Sequence, residues 1–409
     1  MAPPIPSEQP KHVSLLPVFL IVLVDVFGMT LVIPLLAIYA ESFDASALQA
    51  TMLVSVYAGC QLVSGPLIGY ASDRIGRKPM LIFSQIGTFI GFIILAQATS
   101  LWVIYLSRII DGATAGNLSL AQAYIADNTA PEDRAKSFGL IGIAFGLGFF
   151  IGPSITGFLS AKYGLTAPIY LAAGMSATSV LATAVMLRGG RGTSAVTADR
   201  WAAFRWGTYA QYFSRPPLRS RLVQFLFYMM SFSMFISGFA LFAERRYTWN
   251  GEPFGPREIG YIFGAVGLLG IILQGALIGR LVKKYGEASL VVTGFLTLVA
   301  GYFLLGATLS PPLLILAGVI TGYGNGVLRP ALTSLITREA GPHEQGTVLG
   351  VSQALMSGAS VVIPVLSGLL LEYNMLAAWA WAAGLFAAIG WVLSATAPKE
   401  RPAASASPA

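Results

Sequence analysis

Gly65-Pro-Leu-Ile-Gly69-Tyr-Ala-Ser-Asp73-Arg74-Ile-Gly76-Arg77-Lys78-Pro79 stands between two apolar runs, 47–71 and 80–98. An apolar helix of about 20 residues, rising 1.5 Å per residue, crosses the ~30 Å hydrocarbon core of a bilayer. Both runs are of that order, and the few residues between them allow only a tight helical hairpin. Its tip carries Arg74, Arg77 and Lys78 against Asp73. Dense positive charge in a short membrane loop marks the cytoplasmic side. Gly65 and Gly69 lie one helical turn apart, a spacing that lets a neighbouring backbone come close.

The rest of the chain has the same character. Of 409 residues, 55% are hydrophobic and 11% charged, where soluble domains carry about 25% charge. Membrane-length apolar runs recur throughout, which identifies helices rather than barrel strands. Twelve spans are expected: 14–40, 47–71, 80–98, 102–126, 137–160, 167–187, 220–243, 258–282, 288–308, 313–337, 346–371 and 376–396. The first is too long for a cleavable signal and passes straight into further spans. Residues 1–13 and 397–409 read as Pro-rich cytoplasmic tails. Cys60 is the single cysteine, and His12 and His343 lie outside the runs. There is no disulfide framework and no Cys or His metal site.

The net charge of +7 follows topology rather than a nucleic-acid partner. With both termini cytoplasmic, only Lys162, Arg245, Arg246 and Arg257 fall in loops on the far side, as the positive-inside rule requires. The linker 188–219 mixes Arg188, Arg191, Arg200, Arg205, Arg215 and Arg219 with Trp201, Phe204, Trp206, Tyr209, Tyr212 and Phe213. That pattern suits a helix lying in the interface, aromatic residues inward and arginines at the headgroups. It divides the chain into six-span halves, 14–187 and 220–396. An internal repeat relates them. Gly65-Pro-Leu-Ile-Gly69 recurs as Gly275-Ala-Leu-Ile-Gly279, Gly76 as Gly286, Gly112 and Gly116 as Gly322 and Gly326, and Pro153 and Gly157 as Pro364 and Gly368. The second copy of the loop, Arg280-Leu-Val-Lys283-Lys284-Tyr-Gly286, has lost its acid.

Four ionisable residues fall inside the apolar runs: Asp25, Arg108, Asp111 and Arg329. A charge at the bilayer centre costs from about 2.5 kcal/mol upward, so such groups face a partner or a polar cavity. Arg108 and Asp111 are three apart on one helix and within reach of each other. The pair reads either as a titrating unit or as a static ion pair. Asp25 precedes Gly28 and Pro34, where the first span can bend; it reads as a proton carrier or as a cap or partner for another group. Arg329 follows Gly322, Gly324 and Gly326 and precedes Pro330, residues that loosen a span where a cavity forms. Tyr57, Gln61, Asn117, Gln122, Tyr228, Gln274, Asn325 and Gln353 are polar cavity candidates, with helix–helix hydrogen bonding as the plainer alternative.

The spacing Gly69-x3-Asp73-Arg74-x-Gly76-Arg77-Lys78 resembles the loop 2–3 signature of the major facilitator superfamily. Tyr105-Leu-Ser-Arg108-Ile-Ile-Asp111-Gly112-Ala-Thr-Ala-Gly116 resembles the fourth-span motif of its drug/proton antiporters, whose arginine is implicated in proton coupling; Asp111 is an addition to it. Leu23 to Pro34, holding Asp25, resembles the first span of the tetracycline/proton antiporters, where an acid handles proton and substrate. Gly142 to Gly157, with Gly146, Gly148, Gly152 and Pro153, resembles the fifth-span motif of exporters, Thr156 replacing a glycine.

The resemblance implies an all-α membrane protein of the major facilitator fold, two pseudo-symmetric six-helix halves with the substrate site between them near the midplane. It implies a monomeric, proton-coupled exporter in the bacterial cytoplasmic membrane, no enzyme, with the proton as coupling ion and no other cofactor. Asp25, Arg108 and Asp111 would couple the proton, and Asp25 and Arg329 would join the polar candidates at the substrate. Gly69, Asp73, Arg74, Gly76, Arg77, Lys78, Asp127 and Arg134 would form a cytoplasmic latch, Asp73 facing the eleventh span's N-terminus near Gln345. Gly148, Gly152, Pro153 and Gly157 would be a pivot against the other half. Spans 8 and 9 hold no Asp, Glu or His and span 3 no acid, so the expected substrate is the broad class of lipophilic or amphiphilic small molecules rather than tetracycline in particular. The alternative is an importer or facilitator of a small anionic metabolite. Walker, His-Glu-x2-His and Gly-x-Ser-x-Gly patterns are absent.

Overall fold

A computed structural model describes residues 16–128, 134–187, 206–340 and 344–396. Twelve helical paths follow one another: span 1 Leu16–Glu41, span 2 Ala47–Ile75, span 3 Arg77–Ala96, span 4 Leu101–Ala113 with Asn117–Asn128, span 5 Arg134–Tyr163, span 6 Ala167–Met186, span 7 Pro216–Arg246, span 8 Pro256–Tyr285, span 9 Glu287–Ala307, span 10 Pro311–Ala340, span 11 Gln345–Glu372 and span 12 Leu376–Ala395. Ten of these are, within the described residues, single helices long and apolar enough to cross a bilayer. Span 4 is broken, and span 5 holds residues whose side chains are outside the described set. Helices are what the apolar sequence demands, since hydrocarbon offers no partner to backbone N–H and C=O groups.

Loop chemistry sets the helix ends. A capping box starts span 2: the Gln49 N–H donates to Ser46 Oγ at 3.4 Å, and the Ser46 N–H donates to Gln49 Oε1 at 2.9 Å. Gly76 between spans 2 and 3 has φ 114°, and its repeat partner Gly286 between spans 8 and 9 has φ 77°, a region that favours glycine. Between spans 7 and 8, Thr248–Trp249 pairs antiparallel with Glu252–Pro253 across Asn250-Gly251, both at positive φ, as a tight hairpin turn needs.

The packing repeats with the sequence. Span 1 packs on 5 and 6, as span 7 packs on 11 and 12; span 3 packs on 4 and 6, as span 9 packs on 10 and 12; span 2 packs on 4, as span 8 packs on 10. The two main seams between halves, 5 against 8 and 2 against 11, exchange under the same operation. Glycine pairs found in the sequence make equivalent contacts. A Cβ on Gly112 would lie 2.6 Å from the Tyr57 carbonyl of span 2, and one on Gly322 3.2 Å from Val266 of span 8. Gly116 meets Ile68, and Gly326 meets Leu273.

Among the described residues, the close contacts across the seams gather at one end. Opposite the basic loops, the Leu48 N–H donates to Glu372 Oε2 at 3.1 Å, and Arg245 pairs with Glu41 at 2.5 Å while donating to the Leu371 carbonyl. A Cβ on Gly157 would lie 2.9 Å from the Pro256 carbonyl, one on Gly260 2.6 Å from the Pro153 carbonyl, and one on Gly267 2.6 Å from the Phe149 carbonyl. Midway the contact thins: Gly146 reaches Ile271 at 3.6 Å and Gly59 reaches Val361 at 4.0 Å. Nearer the basic loops, a Cβ on Gly65, Gly275, Gly279 or Gly358 meets no described atom within 4 Å. Among the described residues, the tight approaches between the halves thus lie away from the basic-loop end.

Several expectations change. The expected fifth-span pivot divides between two faces: Gly157 and the Pro153 carbonyl meet span 8, but Gly148 and Gly152 pack on Val26 and Thr30 of span 1, within the same half. Span 8 supplies the remaining close approaches through Gly260, Gly264 and Gly267. Span 10, expected to loosen at its glycines, is one helix; Gly322, Gly324 and Gly326 are spent on tight contacts with spans 8 and 9. Its counterpart, span 4, breaks instead at 114–116. There Ser84 Oγ of span 3 donates to the Thr114 carbonyl at 2.5 Å and accepts from the Gly116 N–H at 2.8 Å, supplying partners at the break. Span 1 runs helical through Gly28 and Pro34. The expected interfacial helix lies largely outside the described residues, Trp201, Phe204 and Arg205 included; the described part, Trp206–Phe213, turns Tyr212 into protein packing rather than lipid.

Candidate functional site

The first half holds a charged cluster at its core. Arg108 and Asp111 are each 6% exposed, and Arg108 Nη1 donates to Asp111 Oδ2 at 3.2 Å. The i,i+3 spacing forms the pair, and Gly91 of span 3 makes room for it: a Cβ there would lie 3.0 Å from Asp111 Cβ. Thr88 of span 3 is a hydrogen-bonding neighbour of the Asp111 carboxyl. The Arg108 guanidinium lies over the Phe92 ring, 5.9 Å from its centroid, a favourable placement for a desolvated cation.

Asp25 joins this cluster from span 1, with Asp111 close enough to interact electrostatically. Its nearest polar neighbours are Ser179 of span 6 and Gln85 of span 3. Gln85 Nε2 donates to Ser179 Oγ at 2.8 Å, and both residues are fully buried. Ser176 donates to the Gln85 carbonyl at 3.2 Å, locking the two spans together. Asp25 Oδ1 is buried and accepts no hydrogen bond among the described residues. Tyr57 of span 2 faces both acids and Arg108, and Gln61 Nε2 donates to its hydroxyl at 3.3 Å. Five spans thus bring their polar groups to one place. The sequence placed Asp25, Arg108, Asp111, Tyr57 and Gln61 among the candidates; it did not single out Gln85, Thr88 or Ser179. Polar side chains on spans 3 and 6 flanked by apolar residues were the available signal.

The second half gathers Tyr228, Asn325 and Arg329, with Tyr302 and Ser231 added. Tyr228 and Tyr302 are buried; Arg329 faces Tyr228, and Asn325 and Ser231 face the Tyr302 hydroxyl. Asn325 Nδ2 also donates to the Thr321 carbonyl at 3.1 Å. Gln274 lies in a π-turn, Leu273–Leu277, that interrupts span 8, a distortion often found at functional sites. Gln122 and Gln353 are exposed on their spans, and Asn117, at the restart of span 4, keeps a buried Oδ1.

The loop residues make a compact set of contacts around Gly76, and those described stay within the first half. Arg77, 4% exposed, pairs with Asp73 at 2.6 Å and donates to Ser72 Oγ at 2.6 Å. Lys78 donates to the Ala184 and Leu187 carbonyls at the end of span 6. Arg74 stacks 4.3 Å over Tyr70. Gly69 is buried beside them. Asp127 and Arg134 are in helices, but their side chains lie outside the described residues. At the start of span 11, Glu344 is paired with Arg215 of the linker. The second copy of the loop keeps an acid one position past Gly286: Glu287 accepts from Ser334 and pairs with Arg338 at 3.3 Å.

The sequence matches the Major Facilitator Superfamily over residues 18–364 and again over 251–409. It is 29% identical over 372 residues to the class B tetracycline resistance protein of Escherichia coli, covering 89% of this chain and 90% of that one. It is 26% identical over 379 residues to Multidrug resistance protein 2 of Bacillus subtilis (strain 168), covering 88% and 90%. Among solved structures, the crystal structure of the human organic anion transporter MFSD10 (TETRAN) superposes with a TM-score of 0.71 at 24% identity, over 94% of this chain and 100% of that one. With its repeated six-span packing, a family match over most of its length and similarity to tetracycline resistance proteins over about nine-tenths of each chain, the chain belongs to the major facilitator superfamily and is a transporter rather than an enzyme.

Proposed function

We propose that the protein exports lipophilic or amphiphilic small molecules from the cytoplasm in exchange for protons, by alternating access, in a bacterial cytoplasmic membrane with both termini inside. The observation that carries this reading is the buried Asp25–Asp111–Arg108 cluster in a molecule whose described close contacts between halves lie away from the basic-loop end. The positive-inside rule makes that end cytoplasmic, so the conformation is one that loads substrate from inside. Similarity to proteins named for tetracycline and multidrug resistance supports export.

The cycle follows from the residues. Substrate enters between the halves from the cytoplasm. Rocking about the 5–8 and 2–11 seams closes the latch end and opens the end held by Glu41–Arg245 and Leu48–Glu372. Asp111 lies one turn before the break in span 4, so a change in its charge acts directly on the least regular helix of the first half. A proton taken up outside neutralises a carboxylate in the cluster and favours return. One pH unit supplies about 1.36 kcal/mol per proton, and 100 mV about 2.3 kcal/mol per charge. A second reading, a carrier of small organic anions, draws on Arg329 beside Tyr228 and on the organic anion transporter of like fold.

The test uses the purified protein in liposomes with a trapped pH dye, challenged with lipophilic cations, tetracyclines and organic anions. Export coupling predicts that a cationic or amphiphilic compound drives proton movement of opposite sense. Movement of organic anions alone, without proton flux, contradicts it.

A further inference from the structure

Span 8 meets span 5 through Gly260, Gly264 and Gly267. At about 100° per residue, its opposite face carries Tyr261, Ala265 and Val266. Between that face and Ile315, Gly318 and Val319 of span 10 lies an almost wholly apolar crevice, with about 350 Å³ of space that no protein atom fills. It opens sideways, toward lipid: Tyr261 is 60% exposed, Ile315 54% and Val319 43%. Both spans start opposite the basic loops, so the crevice lies in the far leaflet. Its floor is where a Cβ on Gly322 would lie 3.2 Å from both Val266 and Leu269. From Arg257 at the mouth to Leu269 at the floor, span 8 rises about 18 Å, close to one leaflet of a ~30 Å core.

The repeat shows why space is left here. The matching contact in the first half is between spans 2 and 4, where Tyr105 stands for Ile315 and Arg108 for Gly318. Tyr105 Oη crosses to span 2 and donates to the Gln49 carbonyl at 2.7 Å. The second half has neither long side chain. Packing does not demand the glycine: a Cβ on Gly318 would make ordinary contacts, 3.4 Å to Val266 and 3.9 Å to Ile262.

We propose that this crevice binds one phospholipid of the far leaflet, its acyl chain along the crevice and its phosphate on Arg257. Arg257 is one of the few cations on that side. Arg245 there is paired with Glu41, and Arg246 donates to the Gly306 and Thr308 carbonyls. Arg257 Nε donates to Tyr261 Oη at 3.1 Å, and its guanidinium lies 5.8 Å from the centroid of that ring. That bond holds the guanidinium at the crevice mouth. No carboxylate pairs with it among the described residues; the adjacent Glu258 accepts the Gly255 N–H at 3.0 Å instead. The two terminal nitrogens present a planar fork that matches two phosphate oxygens. The Tyr261 hydroxyl, having accepted from Arg257, still has its proton to donate. A phosphodiester carries the single negative charge that one guanidinium balances. Free phosphate would leave the crevice empty, and a bare hydrocarbon would leave Arg257 without a counter-charge. A chain seated here backs span 8 on the face opposite its seam with span 5. The site is independent of which compound is transported and of proton coupling.

The experiment is photolabelling of the purified full chain in lipid nanodiscs, using phosphatidylglycerol with a diazirine on its acyl chain and peptide mapping by mass spectrometry. The variants are Gly318→Leu, which fills the crevice, Val319→Trp, which covers it from an exposed position, and Arg257→Gln, each first passed through size exclusion. The expected result is labelling concentrated at residues 261–266 and 315–319, well above that at the exposed Val185 and Leu296. Either filling variant removes the excess. Arg257→Gln lowers it about tenfold, as loss of one charge-assisted contact does, and a diazirine fatty alcohol without phosphate is indifferent to Arg257→Gln. Equal labelling at the crevice, Val185 and Leu296 means ordinary lipid contact only and overturns the site. Crevice labelling unchanged in Arg257→Gln overturns the phosphate anchor. Labelling displaced by lipophilic cations or tetracyclines but not by unlabelled phosphatidylglycerol makes the crevice a compound site and overturns the lipid assignment.

Discussion

The two halves share one scaffold and differ in what fills it. Shifting by the repeat offset, Asp25 of span 1 becomes Phe235 of span 7, Gln85 of span 3 becomes Phe295 of span 9, Asp111 becomes Thr321, and Ser179 of span 6 becomes Gly390, against which Phe295 packs. Phe235 packs on Phe239, Phe263 and Tyr302 with ring centroids 4.7, 5.7 and 6.2 Å away, and Phe295 is fully buried. The first half has a charged core; the second has an aromatic one. The loops differ in the same way. Asp73 paired with Arg77 corresponds to Lys283 and Glu287, the charges exchanged, and Glu287 is paired instead with Arg338 of span 10. Span 4 is broken where span 10 is continuous. The repeat gives both halves one architecture, and among the described residues the buried Asp25–Asp111–Arg108 cluster is confined to one copy. On the proposed reading the first half would be the coupling half, and the second an aromatic wall carrying Tyr228, Asn325 and Arg329.

That contrast sets the expected order of mutational effects. Arg108→Ala leaves a buried carboxylate without its cation and is expected to cost about 3–5 kcal/mol, read as a lowered thermal midpoint in detergent. Tyr302→Phe, in the aromatic core, is expected to stay within about 1 kcal/mol; comparable losses would erase the contrast. Ser84→Ala strips both partners from the span 4 break and is expected to cost about 1–3 kcal/mol, with faster hydrogen exchange at Gly116. The corresponding position in the second half is Gly294, where no such partner is needed.

Gly267→Val pushes into the Phe149–Phe150 backbone of the closed seam, an overpacking worth about 1–3 kcal/mol. It should reduce disulfide formation between Gly59→Cys and Val361→Cys, whereas Gly275→Val, in open space, should not. Equal crosslinking in both would show that the 5–8 and 2–11 seams move separately. The smallest effect is at the linker. Hydrogen bonding and charge from Arg215 hold the Glu344 carboxyl below its usual 4.5. Its contribution is therefore present above about pH 4.5 and lost as pH falls through the lower folded value. Glu344→Gln should lower stability slightly at pH 7, as expected of an exposed ion pair, and flatten its dependence on pH below about 4.5.

Spans, loop, repeat and the Arg108–Asp111 pair were legible because each is a local pattern: an apolar run, a spacing, a three-residue offset. Asp25 was legible because an acid inside an apolar run is conspicuous. Gln85, Thr88 and Ser179 were not, since neutral polar residues inside spans usually serve helix packing, and their meeting depends on how spans 1, 3, 4 and 6 pack. The break in span 4 escaped notice because Ala113-Thr114-Ala115-Gly116 contains no proline, and its stabilising partner, Ser84, is some thirty residues away. Glu287 was passed over because the repeat set an acid four residues earlier; the structure puts it where Arg77 stands in the first copy. The fifth-span glycines misled because spacing alone does not say which neighbour each one meets.

The most direct test of the first half as the coupling half is transport by Asp25→Asn in liposomes, using whichever cationic or amphiphilic compound moves protons with the wild type. Two quantities are compared: accumulation driven by an imposed pH gradient, and exchange of labelled for unlabelled compound without one. The account predicts that accumulation falls to background while exchange persists, and that Tyr228→Phe does not separate the two. Accumulation by Asp25→Asn at the wild-type level would contradict it.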